Sequence, residues 1–269
     1  MLSGITSSDS IKWAVFTVFL LFFALFRLPA DPALAQGFYF GGAVGVEYAD
    51  VDYGKSITLN PPDAASVTNR DGDSGQGVIS SFKAVLGHRW NLSGGLYFSG
   101  EIDLALRPDS PIKGSIEGTT TPGNPDSDVF PGNWSLNKNR DAGFSVKLGY
   151  SSGEAGFLGG SVYALAGVRR LDVEIETTAT GVLSDGQTFI DSKARRDFSV
   201  TPWVFGGGIE IGNEKSRLDL RTTYSRYDLS HESPSGTELV PSVVGLEFEV
   251  SEWAVHLGYT WSPGFGLGL

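Results

Sequence analysis

The chain has 269 residues, of which 36 are glycine and 12% aromatic, with no cysteine and a formal net charge of −11. Without cysteine there is no disulfide, thiolate metal site, thiol nucleophile or lipidated N-terminal cysteine. The acidic balance excludes a nonspecific nucleic-acid binder, and the glycine and aromatic content suits an all-β chain with many turns.

At the start, Lys12 precedes an apolar run over residues 13–26, followed by Arg27, a proline-containing stretch and Ala33-Leu34-Ala35. That is the n-region, h-region and A-x-A order of a secretory signal, and the run is shorter than the roughly 20 residues of a spanning helix. Residues 1–35 are expected to be a cleaved signal peptide, and residues 36–269 a single outer-membrane β-barrel domain. Asp9, Lys12, Arg27 and Asp31 cancel, so the net negative charge stays with the mature chain.

Beyond this segment the sequence alternates with period two, which places successive side chains on opposite faces of strands. Residues 38–48 put Phe38, Phe40, Val44, Val46 and Tyr48 on one face and Glu47 on the other. Residues 78–90 put Phe82, Ala84, Leu86 and Trp90, with His88, opposite Lys83, Val85 and Arg89. Residues 96–107 divide most cleanly, with Leu96, Phe98, Ile102, Leu104 and Leu106 against Tyr97, Ser99, Glu101, Asp103 and Arg107. A helix would place Glu101 and Asp103 beside leucines.

A fourth strand over 142–150 sets Phe144, Val146, Leu148 and Tyr150 against Ser145 and Lys147. In the fifth, Tyr163, Leu165, Leu171, Val173 and Ile175 read as the apolar row and Arg170, Asp172, Glu174 and Glu176 as the polar one. Arg169 interrupts the apolar row and is expected to snorkel into lipid headgroups. The sixth ends in 203–211, with Trp203, Phe205, Ile209 and Ile211 opposite Glu210. The seventh, 217–227, sets Leu218, Leu220 and Tyr224 against Asp219 and Arg221. The last, 252–261, sets Trp253, Val255, Leu257, Tyr259 and Trp261 against Ala254 and His256, and 243–250 extends a strand or belongs to a loop.

The eight strands are separated by polar stretches rich in proline, glycine, asparagine and aspartate at 49–77, 108–141, 177–196 and 231–251, which read as loops. Short connections fall at 91–95, 151–159 and 212–216. Long and short connections alternate as an eight-stranded antiparallel up-and-down transmembrane β-barrel requires, with long external loops and short periplasmic turns. An even count closes the sheet without an edge. A soluble barrel would alternate too. The membrane reading rests on charged residues recurring in the polar row, aromatics at the ends of the apolar rows, and the secretory signal.

The opening Gly37-Phe38-Tyr39-Phe40-Gly41-Gly42-Ala43-Val44-Gly45 and the closing Leu257-Gly258-Tyr259-Thr260-Trp261 resemble the porin-like outer-membrane β-barrel family that includes the opacity-type proteins. The resemblance implies partners in the outer-membrane lipids, lipopolysaccharide and the barrel-insertion machinery, and leaves any surface ligand open. Such chains usually end in an aromatic residue, whereas here Trp261 is followed by residues 262–269.

Nothing in the chain calls for a metal or cofactor. Gly206-Gly207-Gly208 lacks phosphate-loop spacing, and Asp71-Gly72-Asp73 lacks the terminal glutamate of a calcium loop and reads as a solvated turn. His88 reads as an interfacial residue and His256 as a lumen hydrogen-bonder. His231-Glu232-Ser233 offers the residue types of a lipid-modifying hydrolase but no more. What remains is a lumen network of Glu47, Lys83, Arg89, Glu101, Asp103, Lys147, Arg170, Glu210, Asp219 and Arg221, with Lys83, Arg89 and Lys147 expected to pair with Glu47, Glu101 and Asp103. Eight strands leave an interior that side chains can fill. The expected role is non-enzymatic, structural or surface-interacting; a narrow diffusion porin and a lipid hydrolase are the alternatives.

Overall fold

The computed structural model describes residues 37–60, 65–108, 110–118, 131–152, 159–182, 188–213, 215–236 and 241–263. The expected signal peptide and the last residues of the tail lie outside them. The strands are β1 (Gly37–Leu59), β2 (Val67–Asn91), β3 (Leu96–Leu106), β4 (Ile112–Ile116), β5 (Gly132–Ser152), β6 (Gly159–Val182), β7 (Thr188–Val200), β8 (Trp203–Gly212), β9 (Ser216–Gly236) and β10 (Pro241–Trp261). Neighbours pair antiparallel in the order β4-β5-β3-β2-β1-β10-β9-β8-β6-β7, and an added β5–β6 ladder closes a ring of eight. β4 continues β3 and β7 leads into β8, so the fold is an eight-stranded antiparallel barrel with two interrupted staves.

Around the lower half of the ring the apolar rows face outward. Val44, Val46, Phe82, Leu86, Ile102, Leu104, Leu148, Ile209, Leu220 and Leu257 are each between 43% and 58% exposed. An uninterrupted apolar belt on a closed barrel has lipid as its physical counterpart. Aromatic residues bound it. Phe40 packs on Trp261 and Trp90 on Phe98 at the edge with the short turns; Tyr224 packs on Trp253 and Trp203 stacks on Phe205 at the other.

The strands do not stop at the upper girdle. β1 has 23 residues, about twice the 9–11 that a tilted strand needs to cross a bilayer. Its odd-numbered residues face inward throughout, but their chemistry inverts near Tyr48. Below lie Tyr39 and Glu47; above lie Ala49, Val51, Tyr53 and Ile57, all buried, with Lys55 the one charged residue among them, while Asp52 is exposed on the outside. The same inversion runs through β9, where Asp219 and Arg221 give way to Tyr227 and Leu229, and through β10, where Phe248 and Val250 precede Glu252 and His256.

This corrects the long-loop reading. Most of 49–77, 177–196 and 231–251 is strand, as are 112–116 and 132–141. In β1 the apolar residues change from even to odd positions, because the surroundings exchange lipid outside for protein inside, and a fixed apolar row therefore ends at Tyr48. In β5 the cause is a bulge: the register shifts between Lys138 and Arg140, so Trp134, Leu136 and Lys138 face inward at even positions and Asp141 at an odd one.

Above the belt the ring parts into two facing sheets. β3 and β8 end there, leaving β2-β1-β10-β9 on one side and β4-β5-β6-β7 on the other. Between them lies an apolar core of Val51, Tyr53, Ile79, Tyr227, Leu229, Phe248 and Val250 against Ile112, Trp134, Leu136, Leu171, Val173 and Ile175. The upper half is thus a β-sandwich built on a membrane barrel. The staves break at prolines, Pro108 and Pro111 between β3 and β4 and Pro202 between β7 and β8, which have no N–H for a ladder.

Candidate functional site: the barrel interior

Inside the belt, inward positions carry charge, and the ion pairs form three levels. Nearest the short turns, Arg89 bonds Glu210 at 2.9 Å while its guanidinium lies 3.4 Å above the ring of Tyr97. At mid-height Lys147 bonds Glu101 at 2.6 Å and reaches Glu210 and Asp219 at 3.2 and 3.5 Å. Arg221 holds Glu101 and Asp219, each at 2.8 Å. Nearest the sandwich, Arg107 grips Glu47 with two bonds of 2.9 Å and also pairs with Asp141. Lys138 joins Glu47 to Glu252 at 2.8 and 2.7 Å, and Arg169 sits between Asp103 and Asp141.

Among the described residues, these six cations pair with seven carboxylates: Glu47, Glu101, Asp103, Asp141, Glu210, Asp219 and Glu252. Lys83, 7% exposed, is a seventh buried cation with no carboxylate within salt-bridge distance among them. It faces Asp103, Glu47 and Asp141 from further away and brings this set to neutrality. Neutrality matters because unpaired charge in such an interior is strongly destabilising.

Three tyrosines brace the network by one device. Tyr39, Tyr97 and Tyr163 lie directly across the ladder from Gly87, Gly149 and Gly208. A Cβ on any of these glycines would come within 2.4 Å of the tyrosine, so each ring lies flat over a glycine. Their hydroxyls then donate to Glu101 at 2.8 Å, to Glu210 at 3.5 Å and to Asp219 at 2.6 Å. His256, 2% exposed, sits higher, with Nε2 3.0 Å from the hydroxyl of Ser81.

Of the residues named from the sequence, the structure places Glu47, Lys83, Arg89, Glu101, Asp103, Lys147, Glu210, Asp219 and Arg221 inside the barrel. Arg170 is a correction: it is exposed on the outside, where it donates to Ser199. In the membrane half of the fifth strand the faces are the reverse of the expected ones, with Tyr163 and Leu165 inside and Val162 and Ala164 outside. Val162, Ala164, Ala166 and Val168 form a second apolar row as long as Tyr163-Leu165-Gly167, so alternation alone could not choose between them. The signal lay in Arg169, which shares the row of Tyr163 and points inward to Asp103 instead of snorkelling. The expected pairing also changes in part. Lys147 does meet Glu101, but Arg89 takes Glu210, because strand stagger brings distant strands level across the lumen. Lys138, Asp141 and Glu252 were missed because they lay in or beside stretches read as loop.

The other candidates resolve by position. His88 is on the outer face between the rings of Phe38 and Trp90. His231 and Glu232 point to opposite faces of β9 and do not converge. Asp71 and Asp73 lie in β2, not in a turn, and Asp73 accepts from the Trp134 indole and the Ser115 amide at 2.9 and 2.8 Å.

Among the described residues, side chains occupy most of the interior. The spaces beside Lys83 and beside Arg169 are each about 10 Å³, at the threshold for a single water. Above them the sandwich core closes the lumen with apolar side chains.

No protein-family model matches the chain, and no curated protein is significantly similar to it. Solved structures with a similar trace include Ail, the attachment invasion locus protein of Yersinia pestis, at 14% identity and a TM-score of 0.30 over 81% of this chain and 99% of that one. Neisserial surface protein A follows at 10% and 0.32 over 80% and 96%. The outer-membrane protease OmpT of Escherichia coli has 9% and 0.37 over 88% and 99%. These likenesses are shallow. By its own closure, belt, girdles and charged interior, the chain is an eight-stranded β-barrel of the outer-membrane type.

Proposed function

We propose that this protein is a non-enzymatic outer-membrane barrel whose membrane half is a closed anchor and whose sandwich half is a rigid surface-contact platform. The observation that carries this reading is the double closure of the lumen, by a neutral ion-pair network within the membrane and by an apolar core above it. With the buried set balanced, the charge of −11 falls outside it; on the outer faces of the sandwich Asp172, Glu176 and Glu249 pair with Arg140, Lys193 and Arg226, while Asp50, Asp52 and Glu247 add acidic charge. Lipid and lipopolysaccharide surround such a belt, and the barrel-insertion machinery places it there. The resemblance to opacity-type proteins fits a role at the surface.

Single-channel recording of the purified protein in a planar bilayer tests this. A folded barrel that inserts and stays silent is the expected result. Stable, salt-dependent openings would overturn it in favour of a narrow porin.

A further inference from the structure

Where the apolar belt ends, the charges on the outer face differ around the ring. On β6 the outward row Val162, Ala164, Ala166 and Val168 is followed by Arg170, and on β5 the outward positions Phe144 and Ala142 are followed by Arg140. Val168 pairs across the ladder with Trp203 of the upper girdle, so Arg170 stands one outward position above the aromatic level. In the β5–β6 ladder Ala142 is opposite Arg170 and Arg140 is opposite Asp172, which makes the two arginines diagonal neighbours on one face, about 7–8 Å apart at the backbone. Both are exposed, the Arg140 side chain by 74%. Each guanidinium is held by its Nε alone: Arg140 donates to Asp172 at 3.2 Å and Arg170 to the hydroxyl of Ser199 at 3.1 Å, and the Nη groups of both have no hydrogen-bond partner among the described residues. Elsewhere the same level is different. Tyr48 is followed by Asp50, Trp253 is preceded by Ser251, and Arg226 above Tyr224 already spends an Nη group on Glu249.

We propose that Arg140 and Arg170 form a binding site for the phosphate of an outer-leaflet lipid headgroup, that of the phosphorylated lipopolysaccharide around the belt. The site rests on the membrane reading of the belt, since headgroups begin where an aromatic girdle ends. Two planar forks of N–H donors match the oxygens of one phosphate, and because each fork is already fixed through its Nε, little freedom is lost on binding. With Asp172 counted, the pair keeps one net positive charge, which favours a phosphomonoester over an uncharged sugar. Asp50 repels the same group, so phosphorylated lipid collects on the β5–β6 side of the ring and not beside β1.

The test is native mass spectrometry of the purified protein in detergent micelles doped with diphosphorylated lipid A or with the same lipid stripped of its phosphates. The unaltered protein should retain the phosphorylated form about tenfold better, as charge-assisted bonds to one phosphate imply. Joint substitution Arg140→Gln and Arg170→Gln should abolish that preference, and Arg226→Gln should leave it intact. The dephosphorylated lipid tests the claim on the unaltered chain, so the proposal stays testable even if the double variant misfolds. Quenching of the girdle tryptophans by brominated acyl chains, read on the same protein in vesicles, separates the site from the reading beneath it. Quenching without a phosphate preference overturns the site alone; absence of quenching overturns the membrane reading and the site with it. A preference untouched in the folded double variant, or displacement of lipid A by equimolar inorganic phosphate, would also overturn the proposal.

Discussion

Below the upper girdle the barrel wall is apolar outside and charged inside; above it the same strands are charged outside and apolar inside. In β1 strand geometry does not change across this boundary, since its odd residues face inward from Tyr39 to Ile57. Only the solvent changes. In lipid, an apolar exterior is required and the polar residues gather in the lumen; in water, burial of apolar surface is what favours folding and the rows exchange roles. The lower half is specified by ion pairs that must all be met, the upper half by packing that degrades gradually.

Breaking one ion pair should therefore cost more than trimming the sandwich. Glu101→Gln leaves Lys147 and Arg221 short of a carboxylate, and should destabilise the folded barrel by about 3–5 kcal/mol. Equilibrium urea unfolding in lipid vesicles measures this, and an unchanged midpoint would show that the remaining carboxylates compensate. Leu136→Ala, at a fully buried sandwich position, should cost about 2–5 kcal/mol locally. Its signature is faster amide exchange in residues 49–59 and 243–250 with the membrane half unaffected; loss of protection throughout would mean that the two halves fold as one unit.

The membrane half was legible because its rows are chemically pure: Leu96-Phe98-Ile102-Leu104 against Ser99-Glu101-Asp103 allows one reading. The sandwich was not, for reasons that are physical and local. A row that changes chemistry without changing face looks like the end of a strand, as at Tyr48. A bulge, as beside Lys138, moves the row by one residue, and the short β4 is flanked by prolines. Arg170 was misplaced because both faces of β6 are apolar below it. The ion pairs themselves need strand stagger, which no single strand's sequence encodes.

Smaller effects sharpen the contrast. Asp73→Ala should remove the bonds that latch β2 to Trp134 and Ser115 and cost about 1–3 kcal/mol, read as new protease cleavage at β4. Tyr53 lies in the sandwich core, where burial pushes its phenol well above the ordinary value. Above a pH of about 10 the unfolded chain ionises this group and the folded one does not, so folded-state stability falls as pH rises further. Tyr53→Phe should flatten that alkaline loss in the sandwich, and an identical alkaline profile would show that other groups set it. The exposed Arg226–Glu249 pair, 60% and 58% accessible, should matter least: Arg226→Ala is expected to stay within about 1 kcal/mol of the parent.

The inversion itself is open to one direct measurement, because the chain contains no cysteine. Single cysteines placed in turn from residue 44 to residue 58 of β1, in protein reconstituted in lipid, would be treated with a membrane-impermeant maleimide. The structure predicts little reaction up to Tyr48, and above it reaction at 50, 52, 56 and 58 but not at 51, 53 and 57. Uniform reaction from 49 to 58 would describe a solvated loop, and would contradict a sandwich standing on the barrel.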